Sequence, residues 1–146
     1  MDELSRKLVD SIIFENKEEL PLTSLKKVKM TESFVKDYKE KYPLLKHFDY
    51  ENDIGYAWVQ DHTIVGLCAV DKTTKEGDRR YITIIEVNKL FWRRGVGTQL
   101  LKFCVRKLGA NSLTVRKTNK KALKMYKTNG FKIVSENDRQ YTMFLY

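Results

Sequence analysis

The sequence predicts a mixed α/β fold, one central mixed sheet with helices on both faces. Three observations carry that expectation. The hydrophobic period changes from helical to two near residue 54. A strand–helix–strand succession over residues 79–115 implies local parallel pairing. Hairpin-like strand pairs on either side of it imply antiparallel pairing.

Taken in order, Leu4, Leu8 and Ile12 form one stripe, which predicts a helix over residues 3–20 that stops at Pro21. "SLKKVKM" reads as a short strand. "TESFVKDYKEKY" reads as a helix capped by Thr31 or Ser33, with Pro43 at or just after its end. "IGYAWVQ" and "TIVGLCAV" are strands joined by a hairpin turn at Asp61-His62. "DKTTKEGD" is a polar loop, and the β-branched "RRYITIIEV" is a central strand. Leu101, Val105 and Leu108 form a helical stripe that Gly109 ends. "NSLTV" is a short buried strand. "TNKKALKMYKTNG" is a helix that starts at Thr118 or Asn119 and ends at Gly130. "FKIVS" and "YTMFLY" close the chain as two strands.

The 146 residues suit one domain, with a helix-rich part over 1–50 and a sheet-based core over 54–146. The longest nearly apolar runs, such as Ile64 to Val70, fall far short of the about 20 residues that cross a bilayer. The first ten residues lack the basic start and apolar block of a secretory signal, so a cytoplasmic protein with no membrane partner is expected. Cys68 and Cys104 read as buried reduced thiols, His47 as a surface residue and His62 as part of a turn. None has ligand spacing, and no metal site is expected.

The formal charge is +9, and it is unevenly spread. Val87 to Ser135 holds 13 Lys and Arg and no acid, while the remainder holds 15 basic and 19 acidic residues. One contiguous third of the chain therefore implies a polyanionic ligand, small or polymeric.

At the edge of that segment, "EVNKLFWRRGVGTQLL" joins a strand to a helix through Arg93, Arg94, Gly95 and Gly97. Glycine permits positive φ and close approach of a ligand to the backbone. The first helical turn offers unpaired N–H groups and the positive end of the dipole. Together with two arginines these make a pyrophosphate site. A tight turn flanked by solvated arginines is the plainer reading. A Walker A loop is absent. Leu100 stands where a dinucleotide fingerprint needs its third glycine, although Arg116 and Lys117 could imitate a 2′-phosphate clamp.

"VNKLFWRRGVGTQLL" resembles the acyl-CoA-binding motif of the GNAT family of N-acyltransferases, a strand end followed by [Q/R]-x-x-G-x-[G/A] at a helix start. "NKKALKMYKTNGF", Asn119 to Phe131, is similar to that family's N-x-x-A-x-x-x-Y-x-x-x-G-F segment. Two positions depart from the pattern. Trp92 takes the [Q/R] place, which weakens one expected phosphate contact, and Leu90 stands where relatives usually have Pro.

The resemblance implies a GNAT-like splayed sheet, with residues 54–146 forming the acyl-CoA-binding core. It implies acetyl-CoA as cofactor, with coenzyme A as product, and an amine-bearing acceptor, either a small molecule or a protein. The pantetheine arm would pair with the backbone of Ile85 and Val87. The pyrophosphate would rest on Arg93, Arg94, Gly95, Val96, Gly97 and Thr98. Asn119 would bond the arm, although a helix N-cap is its other reading. Tyr126 would protonate the leaving thiolate, with a core tyrosine as the alternative. An alkylammonium, with a reference pKa of about 10.4, must also lose a proton. Thr114 stands where some relatives carry a Glu, which leaves Glu86 as the candidate base, or else a solvent-facing strand residue. A basic nucleic-acid-binding module and a non-catalytic acyl-CoA binder are the competing functions.

Overall fold

The computed structural model describes residues 25–146. The helix expected over residues 3–20 lies outside the described residues. β1 (Lys26–Lys29) leads into α1 (Glu32–Tyr38) and a 3₁₀ turn (Pro43–His47). Strands β2 (Asp53–Gln60), β3 (Thr63–Asp71) and β4 (Ile82–Val87) follow. After a short 3₁₀ turn (Lys89–Phe91) come α2 (Val96–Arg106), β5 (Ser112–Arg116), α3 (Lys120–Thr128), β6 (Lys132–Glu136) and β7 (Gln140–Phe144).

Local chemistry accounts for most element ends. The Thr31 side chain accepts from the Phe34 N–H and starts α1. α1 ends earlier than its sequence suggests. "KEK" offers no apolar residue to hold a further turn on the sheet, and Pro43 pushes Tyr42 out of helical geometry (φ −125°, ψ 85°). Asp61 and His62 both have positive φ, 50° and 64°, as the expected two-residue hairpin needs. Gly130, at φ 96°, ends α3: its N–H bonds the Lys127 carbonyl, and the Phe131 N–H bonds the Tyr126 carbonyl.

The strands form two antiparallel sheets, in the orders β1-β2-β3-β4 and β5-β7-β6. Parallel pairing, expected across the strand–helix–strand unit, is confined to one bridge between Tyr81 and Ser112. Beyond that bridge β4 and β5 part, which makes the mixed sheet a splayed one.

Helices cover both faces of the first sheet. Val96, Leu100 and Cys104 of α2 pack on Trp58, Val65, Cys68 and Val70. The opposite face, with Ala57, Leu67, Ala69 and Ile84, is covered by Tyr42, Leu45 and Phe48. α3 packs Leu123 and Tyr126 on Leu113, Val115 and Met143 of the second sheet, and Leu101 of α2 joins that cluster. α2 thus touches both sheets and spans their divergence. Each fully buried leucine contributes about 1.5–3 kcal/mol. Cys68 and Cys104 are buried free thiols.

Val65 is an extra residue in β3, since Ile64 pairs with Val59 and Gly66 with Trp58. A side chain on Gly66 would stand 2.8 Å from Leu100 Cδ1. Its absence lets α2 settle on the sheet beside the end of β4.

The closed end of the splay is held by Asn111. Its N–H bonds the Arg80 carbonyl (3.0 Å), and its Oδ1 accepts from the Arg80 N–H (2.9 Å) and the Ser112 hydroxyl (3.1 Å). Its Nδ2 donates to the Asp78 carbonyl (3.3 Å), and its own carbonyl accepts from the Leu145 N–H (2.8 Å). One residue therefore ties the strand entering β4 to β5 and to the chain end after β7. Asn111→Ala leaves the part-buried Arg80 N–H without its acceptor and is expected to cost about 1–3 kcal/mol in urea unfolding. An unchanged midpoint would contradict this role.

Candidate active site

The elbow after β4 is built by Asn88 and Trp92. The Asn88 N–H bonds the Val65 carbonyl (2.8 Å), its Nδ2 donates to the Ile64 carbonyl (2.9 Å), and its Oδ1 accepts from the Leu90 N–H (3.0 Å). The Trp92 indole N–H donates to the Val87 carbonyl at 3.1 Å, and the ring is only 8% exposed. Lys121 Nζ lies 5.6 Å from that ring. Trp92 thus fastens the elbow from within, where the sequence pattern reads only as the loss of one expected phosphate contact.

Arg93 and Gly95 then take left-handed geometry, φ 63° and 77°, and turn the chain into α2. Gly95 is the N-cap and offers no side-chain acceptor to the first turn. The N–H groups of Val96, Gly97 and Thr98 therefore stand at an uncapped, positive helix end next to Arg93 and Arg94. Arg94 is half-buried, its guanidinium 5.8 Å from the Phe91 ring and its buried Nε without a partner. Gly97 has a further use that its motif position does not reveal. A Cβ there would stand 3.2 Å from Met125 Sδ, so the missing side chain lets α3 lie against the start of α2.

The backbone of β4 has a definite orientation. The Asn88 N–H turns to β3, while the Val87 carbonyl turns to Trp92. Direction alternates along an antiparallel ladder, so Val87 and Ile85 turn their N–H and C=O groups away from β3, toward the splay. There a cleft of about 160 Å³ opens, lined by Ile82–Ile85 of β4, Leu113–Arg116 of β5, Leu44, Asn119 and Tyr126. Of the expected residues, Ile85, Asn119 and Tyr126 meet in this cleft, and Val87 with the elbow lies beyond the last cleft-lining residue of β4. Leu44 and Thr83 also line it without a sequence signal that singled them out, as does Arg116, which the sequence offered only as part of an imitated 2′-phosphate clamp.

Asn119 is the N-cap of α3, its Oδ1 accepting from the Ala122 N–H at 3.2 Å. That use leaves its Nδ2 donors for the cleft. Tyr126 is buried, and burial, with a smaller contribution from Cys104, pushes its phenol up to about 12.

Glu86 is not among the cleft-lining residues. Neighbouring Ile84 packs with Tyr42 and Leu45, and alternation puts Glu86 on that same face. Burial raises its carboxyl above the ordinary glutamate value, and one carboxylate oxygen is buried without a partner. Tyr42 is itself raised, first by burial and then by the charge of Glu86.

Residues 22–131 match the sequence profile of the acetyltransferase (GNAT) family. The chain belongs to the GNAT family. No curated protein matches it significantly in sequence. Among solved structures, N-acetyltransferase PseH of Campylobacter jejuni, in complex with acetyl coenzyme A, is 22% identical, with 83% of this chain and 97% of that one covered and a TM-score of 0.57. The ribosomal-protein-S18-alanine N-acetyltransferase of Escherichia coli is 17% identical, with 83% and 92% covered and a TM-score of 0.66. Arabidopsis thaliana NAA60, in complex with acetyl-CoA, is 15% identical, with 82% and 96% covered and a TM-score of 0.60. These likenesses establish the GNAT fold.

Gly95 is the position where this GNAT elbow most needs glycine. Gly95→Ala forces an L side chain into left-handed geometry and is expected to cost about 1–2 kcal/mol in thermal or urea unfolding. Wild-type stability in that variant would show that the elbow relaxes to another turn.

Proposed function

We propose that the chain transfers an acetyl group from acetyl-CoA to a primary amine by direct attack on the thioester. The observation that carries this reading is the open backbone edge of β4, which runs on from the cleft to the elbow. Unpaired backbone groups of β4 lead from Tyr126 toward an uncapped helix start flanked by arginines. Such a path suits a ligand with an amide-bearing arm and a diphosphate at its end.

Each residue then has a definite task. Ile85 offers both backbone groups to the arm. Val87 offers only its N–H, because Trp92 already holds its carbonyl. Val96, Gly97 and Thr98 give amide donors to the pyrophosphate, with Arg93 and Arg94 adding charge. Asn119 donates from Nδ2 while Oδ1 stays on the helix cap. When bound, acetyl-CoA supplies an activated acyl carbon and a thiol leaving group, released as coenzyme A.

Burial pushes the Tyr126 phenol up to about 12, well above a thiol at about 8.5. Full proton transfer from tyrosine to the leaving sulfur is therefore uphill. Tyr126 instead remains protonated and donates a hydrogen bond to the charge that develops on sulfur. Glu86, raised by burial and set on the face beside Tyr42, takes the proton from the incoming amine.

Thiol release from acetyl-CoA in the presence of an amine panel tests the reaction. Tyr126→Phe is expected to lower kcat by about 10²-fold with little change in KM for acetyl-CoA. Undiminished turnover would remove the tyrosine from the chemistry. Glu86 acts when ionised, so kcat/KM should fall as pH drops through its raised pKa. Glu86→Gln should abolish that fall, and its persistence in the variant would overturn the base assignment.

A further inference from the structure

The elbow uses a small part of the cationic segment. Further along the same two helices, Lys102, Arg106 and Lys107 are exposed in α2 and at its end, and Lys120, Lys124 and Lys127 are exposed on α3. Spacings of three and four residues align Lys102 with Arg106 on one face of α2, and Lys120, Lys124 and Lys127 on one face of α3, while Lys107 is the C-cap residue of α2. The two helices touch where Gly97, at the start of α2, faces Met125 of α3, and Leu101 shares a cluster with Leu123 and Tyr126. None of the six cations forms an ion pair with another described residue, and no acid occurs between Val87 and Ser135 to oppose them.

Distance separates the far end of this face from the elbow. Lys107 follows Gly97 by ten residues, which is about 15 Å along a helix. A single diphosphate at the elbow cannot neutralise charges so far away, beyond about one Debye length in physiological salt. Six cations on the exposed sides of two touching helices, none ion-paired among the described residues, repel one another and are stabilised by a spread-out counter-charge.

The chemistry of that counter-charge follows from what the face lacks. Among the described residues, the exposed large hydrophobics are Val28, Tyr38, Leu44, Tyr50, Leu90, Ile133, Val134 and Tyr146, and none lies on α2 or α3. A protein partner docks through a central apolar or aromatic anchor. A membrane surface takes up an apolar helix face beside the charges. A phosphodiester backbone requires neither and is bound by charge alone.

We infer that the outer face of α2 and α3 binds the phosphodiester backbone of a nucleic acid, without reading its sequence. The binding stands apart from acetyl transfer, and its test separates the two.

Fluorescence anisotropy is measured with a 20-nucleotide single-stranded RNA, a 20-base-pair DNA duplex and polyglutamate of matched charge, between 50 and 200 mM NaCl. Acetyl-CoA affinity is measured in parallel by calorimetry. With six contacts, log K should fall against log salt with a slope of about −4 for the RNA and about −5 for the duplex. Preference for either nucleic acid identifies the backbone and supports the inference. The triple variant Lys102→Gln, Lys124→Gln, Lys127→Gln should reduce either slope by about 2–3. It should leave acetyl-CoA affinity unchanged, since none of the three belongs to the elbow or cleft. Absence of nucleic-acid binding at 50 mM salt, equal binding of polyglutamate, or a slope untouched by the triple variant would each overturn it. Loss of acetyl-CoA binding in the wild type would instead strike the acetyl-transfer reading alone.

Discussion

A β-strand with its neighbour removed must find other partners for its backbone, and this requirement governs the molecule. β4 and β5 meet through the Tyr81–Ser112 bridge and then separate. Past that point Ile85 and Val87 keep polar groups that β3 does not satisfy. Trp92 answers one of them, the Val87 carbonyl. Those of Ile85 face a cleft shared with Asn119 and Tyr126, and the Val87 N–H lies beyond it toward the elbow. Asn111 fixes where the separation begins, and α2 fixes how the two sheets sit beyond it, through Leu100 toward one and Leu101 toward the other.

The elbow depends on the same geometry. α2 must start directly above the end of β4 if it is to cover both sheets, so the chain has to reverse within a few residues. Left-handed φ at Arg93 and Gly95 achieves the reversal. The missing side chains of Gly66 and Gly97 then let α2 approach β3 on one side and α3 on the other. Helix start, arginines and open strand edge thus come together as one consequence of packing, with no separate element devoted to holding a ligand. Burial raises both Tyr126, packed on the second sheet, and Glu86, on the face beside Tyr42, by desolvation in each case.

Element order was legible because hydrophobic period, glycine ends and β-branched runs are local signals. The Asp61-His62 turn, the Gly130 stop and the start of α3 at Asn119 all stand where their residues required them. The two sequence blocks also sufficed to identify the family. What could not be read was anything set by a distant partner. A strand–helix–strand pattern cannot say how far two strands stay paired, so one parallel bridge looked like a ladder. Trp92 read as a lost phosphate contact, because nothing local says that its indole reaches Val87. Gly97 read as a ligand-approach residue, because Met125, 28 positions later, is invisible at short range. Leu44 reaches the cleft only through the tertiary course of the segment after α1.

Amide hydrogen exchange, resolved residue by residue with and without saturating acetyl-CoA, tests the central claim most directly. If the parted edge of β4 and the uncapped start of α2 receive the cofactor, the N–H groups of Ile85, Val87, Val96, Gly97 and Thr98 will exchange more slowly in its presence, while the paired interior of β3 stays as it was. Unchanged exchange at those five amides, with acetyl-CoA bound and protection appearing elsewhere, would contradict the account.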